Sequence, residues 1–318
     1  MKKRISLLVS LLLFLLSVGE ADAARSGARW GLELCLQLLI PSLLPLFAAS
    51  SLMSRLGLGD ALAQKFGGVM GRLFGISGSG ASAFILGLCG GYPLGAATAA
   101  ELYTGGRITR EEGERLLGFC DNTGPAFAVA ALGMGAFGSI RIGLFLYTVH
   151  LLSAVLTGLL LRGKSCESSV PKASVPLPFP RAMTEAVNAA GRAMLGICAW
   201  VIVFSALLFA LNARGTLDSF AGWSAVTLGW ELGLCKALLW SFFELSGAVG
   251  LMESIALSPM KLALAAFALS WGGLCIHFQS LSVCGGLSPR RRLPGKLLQG
   301  LLAAAISYIM STLFLFRP

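Results

Sequence analysis

"LGLCGGYPLGAATAAELYTGG", Leu86 to Gly106, decides how this chain is read. The stretch has the apolar character of a membrane segment, yet Gly90, Gly91, Tyr92 and Pro93 interrupt its middle. Glycine tolerates backbone angles that a helix does not use, and proline lacks the N–H that a helix needs. The helix should stop there. In lipid, such a break is tolerated only where it is buried in protein or lines a watery cavity, so the stretch reads as a re-entrant hairpin with its tip at Gly91-Tyr92-Pro93. A proline kink in an ordinary span is the alternative, because Gly and Pro are commoner in membrane helices than in soluble ones.

Composition supports the membrane reading. The 318 residues are 56% hydrophobic and 13% charged, with a mean hydropathy of +0.79; the charged share is about half that of a soluble domain. Apolar stretches at 30–53, 80–100, 116–138, 140–161, 190–212, 230–250, 262–283 and 297–316 fill most of the chain, each near the ~20 residues that cross a bilayer. No soluble block remains that could bury a core of its own. The start, "MKKRISLLVSLLLFLLSV", is a basic end followed by an apolar run and Ala21-Asp22-Ala23. It fits a cleaved signal peptide or a retained anchor.

The net charge of +10 would suggest nucleic acid in a soluble protein; here it reports topology. If the segments around Gly90-Gly91 and around "FELSGAVG" (Phe243 to Gly250) enter and leave on one face, one set of loops collects most of the 25 Lys and Arg. That cytoplasmic set holds Lys2, Lys3, Arg4, Arg55, Lys65, Arg72, Arg107, Arg110, Arg115, Arg162, Lys164, Lys172, Arg181, Arg192, Arg290, Arg291, Arg292 and Lys296. Arg25, Arg29, Arg141, Arg214, Lys236, Lys261 and Arg317 fall outside it.

Under this topology the chain is an all-α polytopic membrane protein of two repeats. An anchor or signal-like segment occupies 1–29, the first repeat 30–161, a cytoplasmic linker 162–189 and the second repeat 190–318. Each repeat runs span, re-entrant hairpin, interrupted span, span. Three crossings apiece make the second repeat inverted relative to the first, an architecture of many secondary transporters. The Ser- and Pro-rich "GKSCESSVPKASVPLPFP" (Gly163 to Pro180) joins them.

Polar residues cluster at the interruptions. In "FCDNTGPAF" (Phe119 to Phe127), Asp121, Asn122 and Thr123 precede Gly124-Pro125, placing amide and hydroxyl groups where the proline removes a backbone hydrogen bond. Asp121 and Asn122 could instead cap an interfacial helix, with "TREEGERLLGFC" as a solvated lead-in. In the second half, Glu231, Lys236, Glu244, His277 and Gln279 lie at or near membrane depth, where ionisable groups are costly and need a partner or water. Glu244 with Ser246-Gly247 forms the matching hairpin tip, an ion pair of Glu244 with Lys236 being the plainer reading. His277 and Gln279 follow Gly272-Gly273 as Asn122-Thr123 accompany Gly124-Pro125. Histidine titrates near neutrality, so His277 could donate to an anion or exchange protons, or it could make an interhelical hydrogen bond.

Enzyme chemistry finds no motif. The sequence lacks a P-loop, a Rossmann glycine pattern, a His-Glu-x-x-His and a nucleophile elbow; "GISGSGAS" (Gly75 to Ser82) reads as the turn into the hairpin. The eight cysteines contain no Cys-x-x-Cys pair and there are two histidines, so no metal site is expected.

"IPSLLPLFAASSLM" (Ile40 to Met53), the block from Gly90 to Phe127, "GAFGS" (Gly135 to Ser139) and "WGGLCIHFQSLSV" (Trp271 to Val283) together resemble the sporulation integral membrane protein YlbJ family of the Gate, or nucleoside-recognition, superfamily. The resemblance implies a carrier of dipicolinic acid across the outer forespore membrane, similar in architecture to concentrative nucleoside carriers. It favours a retained N-terminal anchor. It also implies that Gly91-Tyr92-Pro93, Asn122-Thr123-Gly124-Pro125, Glu244-Ser246-Gly247 and His277-Gln279 converge on one midplane site for a small planar anion. No cofactor is expected beyond coupling to a proton or sodium ion. The expected partners are the solute and the bilayer, with no nucleic acid, and a homo-oligomer is compatible with the chain.

Overall fold

The structure, a computed structural model, describes residues 2–163 and 177–315; most of the expected linker, residues 164–176, lies outside them. The described elements are helical. Among the described residues four segments are long and apolar enough to cross a membrane: Ile140–Leu160, Phe179–Asn212, Pro259–Val283 and Pro289–Phe314. A fifth is possible if the bent pair Leu58–Phe74 and Gly78–Gly90, which meet at 93°, counts as one span. Leu8, Leu12 and Phe14 near the start, Leu195 and Val203 mid-chain, and Ile309 near the end face outward. The protein is an all-helical, multi-pass integral membrane protein.

The chain opens with α1 (Lys2–Gly19), then α2 (Ala21–Leu34), which passes through a wide turn at Cys35–Leu39 into α3 (Ile40–Arg55). The segment expected from residue 30 therefore begins nearer residue 21. Next comes α4 (Leu58–Phe74), then α5 (Gly78–Gly90) and α6 (Leu94–Thr104), which pack against each other as a hairpin. A short α7 (Arg110–Leu116) leads to an irregular stretch at 121–124 and a wide-turn helical segment, Ala126–Ala136. Ile140–Leu160 is α8.

The second half follows the same order. The long α9 (Phe179–Asn212) precedes α10 (Thr216–Leu228), the pair α11 (Leu232–Phe243) and α12 (Leu245–Met252), the broken helix α13 (Pro259–Trp271) and α14 (Gly273–Val283), and α15 (Arg292–Phe314). Sequence reading left the regions of α4 and α10 as loops. Both helices are bracketed by left-handed glycines, Gly57 and Gly75 around α4 and Gly215 and Gly229 around α10.

At the centre stands α13–α14. Of its most apolar stretch 78% is buried, against 44, 39 and 28% for the other three spans, so this element faces protein and the others share a boundary with lipid. It packs along α15 and α8, and α9 lies beside α2 and α3. A second core gathers under α4, where Phe74, Phe84 and Phe119 meet with ring centroids 5.3–5.5 Å apart. Aromatic rings at such separations interact favourably beyond their buried area, and this triad fastens hairpin α5–α6 to the stretch before the first break.

Several charges sit differently from the sequence reading. The helix α7 is no solvated lead-in: Glu112 is buried and accepts from Ser77 N (2.6 Å), and buried Arg115 donates to Gly75 O (2.7 Å). Lys236 pairs with Asp218 of α10 at 2.7 Å, not with Glu244. Lys261 is buried, donating to Ile255 O (2.7 Å) over the Phe137 ring. Arg115, Arg292 and Lys296, counted among the cytoplasmic loop charges, lie inside the protein.

Candidate functional site

Two hairpin tips and two helix breaks meet near the centre. Helix α5 ends where Gly91 takes φ +86°, a value side chains resist. Tyr92 and Pro93, joined by a cis peptide bond, then turn the chain into α6. The first break presses on this tip: a Cβ on Gly91 would lie 3.0 Å from Gly124 N. In the second half, α13 gives way to α14 through Gly272 and Gly273, both left-handed. There a Cβ on Gly273 would meet Phe243 O at 2.9 Å, so the second break seats against the second tip in the same manner.

Glu244 makes that second tip. It closes α11 and opens α12, and its carboxylate accepts from Ser246 N (2.9 Å) and Gly247 N (2.6 Å). The first N–H groups of a helix have no partner within it, and an anion there also meets the favourable end of the helix dipole. Removing both acceptor oxygens in Glu244→Ala should cost about 2 kcal/mol, the upper range for a lost cap. Glu244→Gln, which keeps one, should cost less. Thermal unfolding in detergent reads the order, and equal losses would show that the charge rather than the cap matters.

The first break is tied to the rest of the molecule by consecutive residues. Asp121 accepts from Ala96 N in the first turn of α6 (3.3 Å) and from Ser280 Oγ of α14 (2.5 Å), and pairs with Arg292 Nη1 of α15 at 2.9 Å. Nη1 approaches off the hydrogen-bond direction, while Nη2 donates to Ser280 Oγ (2.8 Å). Ser280 therefore bridges the ion pair.

Asn122 donates to Phe119 O (2.7 Å) and accepts from Gln299 Nε2 (2.9 Å). Lys296 Nζ donates to Asp121 O (2.9 Å), Asn122 Oδ1 (3.4 Å) and Gln299 Oε1 (2.6 Å), and lies 5.2 Å from the centre of the Tyr92 ring. Thr123 donates through its hydroxyl to Leu269 O (2.7 Å) and through its N–H to His150 Nε2 (3.2 Å). Because Nε2 accepts, the proton of a neutral His150 sits on Nδ1 and goes to Ser270 Oγ at 2.8 Å. Tyr92 OH donates to Ser270 O (3.4 Å), so the first tip also touches the second broken helix.

A cavity of about 50 Å³ lies where these elements meet. Gly91 and Tyr92 of the first tip, Thr123 and Gly124 of the first break, Glu244 and Ser246 of the second tip, and Gln279 of α14 line it. Leu39, Leu43, Phe127, Ile197, Val201, Leu245 and Ile276 form an apolar wall. A water needs about 10–15 Å³ by this measure, so the cavity has room for a few waters in this conformation; pockets that hold drug-sized solutes run to ~300 Å³ or more.

The remaining sequence candidates stand around this lining. Pro93 and Pro125 start the helical segments after the first tip and first break, and Gly247 serves Glu244. Asn122 lies behind the cavity, its amide engaged by α15. His277 does not line it: the ring packs edge-on against Trp271 at 4.3 Å, and neither nitrogen has a hydrogen-bond partner among the described residues. Sequence reading missed Ser280, His150, Arg292, Lys296 and Gln299. A signal existed for the last three, since buried Arg292, Lys296, Gln299, Ala303, Ser307 and Ser311 recur at helical spacing on one face of α15.

No family model matches the chain. It is 24% identical, over an alignment of 335 positions, to the sporulation integral membrane protein YlbJ of Bacillus subtilis (strain 168), covering 96% of this chain and 82% of that protein. The likeness to that protein, first read from motifs, thus extends over nearly the whole chain. A solved structure of CNTnw in an outward-facing state superposes with a TM-score of 0.56 at 15% identity, over 95% of this chain and 86% of that one. The fold is CNT-like.

Proposed function

We propose that this protein is a carrier that moves a small planar anion, dipicolinate first among candidates, across a membrane by exposing the central cavity alternately to each side. The observation that carries the reading is the convergence on one cavity of both hairpin tips, the first helix break and α14, the helix that leads out of the second break. Broken helices meeting at a midplane site are how many secondary carriers place helix ends and loop N–H groups against a solute. The repeated order of span, bracketed helix, hairpin, broken helix and span supports two inverted repeats, at 30–161 and 190–318. The likeness to the sporulation integral membrane protein YlbJ supports a role in sporulation, and the outer forespore membrane is the place this reading gives the carrier.

Within the cavity the apolar wall would take the face of a planar ring, and Gln279 and Tyr92 its polar edge. Asn122 would act from behind, through the shape of the break, and Thr123 from the lining itself. The two buried cations Arg292 and Lys296 beside the first break are matched there by a single buried carboxylate, Asp121, a bias that suits a negative solute, while Glu244, the carboxylate in the lining, is taken up by the N–H groups of Ser246 and Gly247.

Proteoliposomes test the reading. They should take up labelled dipicolinate well above empty vesicles, and unlabelled nucleosides should not compete. The CNT-like fold favours a nucleoside carrier as the second reading, and competition by nucleosides but not by pyridine dicarboxylates would establish it instead. No flux of either solute would leave a membrane scaffold or gating component.

A further inference from the structure

We propose that the ammonium of Lys296 is a built-in cation, occupying the place at the first break that a mobile coupling ion would take, so that solute movement needs no sodium. The inference rests on the carrier reading and concerns how its central site is driven.

The surroundings of Lys296 carry it. The side chain is fully buried, and its three donors meet three oxygens: the Asp121 carbonyl at 2.9 Å, Gln299 Oε1 at 2.6 Å and Asn122 Oδ1 at 3.4 Å. An ammonium has three N–H groups, so its hydrogen-bonding capacity is filled. All three acceptors are neutral. The nearby carboxylate is committed elsewhere, with Asp121 taking Arg292, Ser280 and the Ala96 N–H. Lys296 is thus solvated as a bound monovalent metal would be, by a main-chain carbonyl at a helix break and two amide oxygens, with the Tyr92 ring as a fourth face at 5.2 Å. Unwound carbonyls of this kind hold coupling cations in carriers built on broken helices.

Position makes the group consequential. The same ammonium touches the first break, the last helix and Tyr92, which lines the cavity at the first tip. A burial this complete is sustained only if the charge stays paired with its oxygens. A movement of the first tip that opens the cavity and carries the Tyr92 ring with it therefore strips one face from Lys296, as it would from a bound ion. Because the cation is tethered to α15, it cannot be released to either side, and an external sodium gradient has nothing to act on.

The test uses the full chain, purified and reconstituted. Wild-type flux should be the same in sodium chloride and in choline chloride at one pH, and sodium should not stabilise the wild type over choline in thermal unfolding. Lys296→Ala should lose flux by about tenfold or more, the scale of hydrogen bonds to a buried charge. Methylammonium should restore part of that flux and raise the unfolding midpoint of the variant but not of the wild type, whereas tetramethylammonium, too large for the vacated space, should do neither. Sodium-dependent flux or sodium-specific stabilisation of the wild type overturns the proposal, and so does a folded Lys296→Ala that ignores methylammonium. Should that variant not fold, the wild-type sodium measurements decide alone. The unfolding measurements need no solute: absence of any flux would sink the carrier reading, while the amine and sodium responses would still judge the built-in cation.

Discussion

Replacing Arg292 with methionine should destabilise the protein by about 3–5 kcal/mol, the usual cost of stripping one partner from a fully buried ion pair. The size follows from what remains. Asp121 is fully buried, and without Arg292 at 2.9 Å its charge keeps only Ser280 Oγ and the Ala96 N–H. The double variant Asp121→Asn with Arg292→Met should recover much of the loss, because a neutral amide can still serve Ala96 and no carboxylate is left stripped of its partner. Thermal unfolding of the three proteins in detergent decides the matter. A single variant as stable as the wild type would mean that the pair is hydrated, contrary to its complete burial.

Gly87→Ala should be the most damaging small substitution in the first hairpin. Gly87 on α5 and Gly95 on α6 face the same atom, the carbonyl oxygen of Cys120, and a Cβ on either would overlap it. That oxygen belongs to the main chain just before the break and cannot swing aside as a long side chain could. Overpacking against movable neighbours costs about 1–3 kcal/mol, so a clash with fixed backbone should reach or exceed that range and drive the hairpin off the break. Gly68→Ala on α4 is the control. Nothing lies within 4 Å of its would-be Cβ, and exchanging glycine for alanine in a helix gains up to about 1 kcal/mol. Flux and unfolding midpoint should fall for Gly87→Ala and hold for Gly68→Ala. Equal behaviour would show that the hairpin is not seated as described.

Much of this fold was legible because its decisive features are local. A Gly-Gly-Tyr-Pro, an Asn-Thr-Gly-Pro or a Trp-Gly-Gly inside an apolar run stops a helix wherever the rest of the chain goes, and the structure has breaks at each of these places. Glu244 was legible as the place of the second tip, because a lone carboxylate at membrane depth needs a partner, but not as the cap of its own helix, since sequence spacing offered Lys236 equally well. The surface of α15 was not. "SPRRRLPGK" (Ser288 to Lys296) reads as a basic loop, and counting charges by loop gave Arg292 and Lys296 to the cytoplasm. Their burial depends on α15 starting at Arg292 and turning both residues, with Gln299, toward Asp121 and Asn122, over 170 residues away in sequence for Lys296. Composition cannot carry such a pairing. His277 shows the converse limit: its position after a double glycine was plain, but which way the ring turns depends on Trp271.

The burial of α13–α14 bears on how the chain is made. This element is the least apolar of the four long spans and the most enclosed by protein. A segment leaving the ribosome meets lipid before its later neighbours exist, and one designed for protein surroundings gains least from that first encounter. Its principal contacts are with α15 and α8, one synthesised after it and one long before. The central element should therefore wait at the insertion machinery until α15 arrives and enter with it, which makes the last helix a condition for threading the middle of the protein and not merely its final wall.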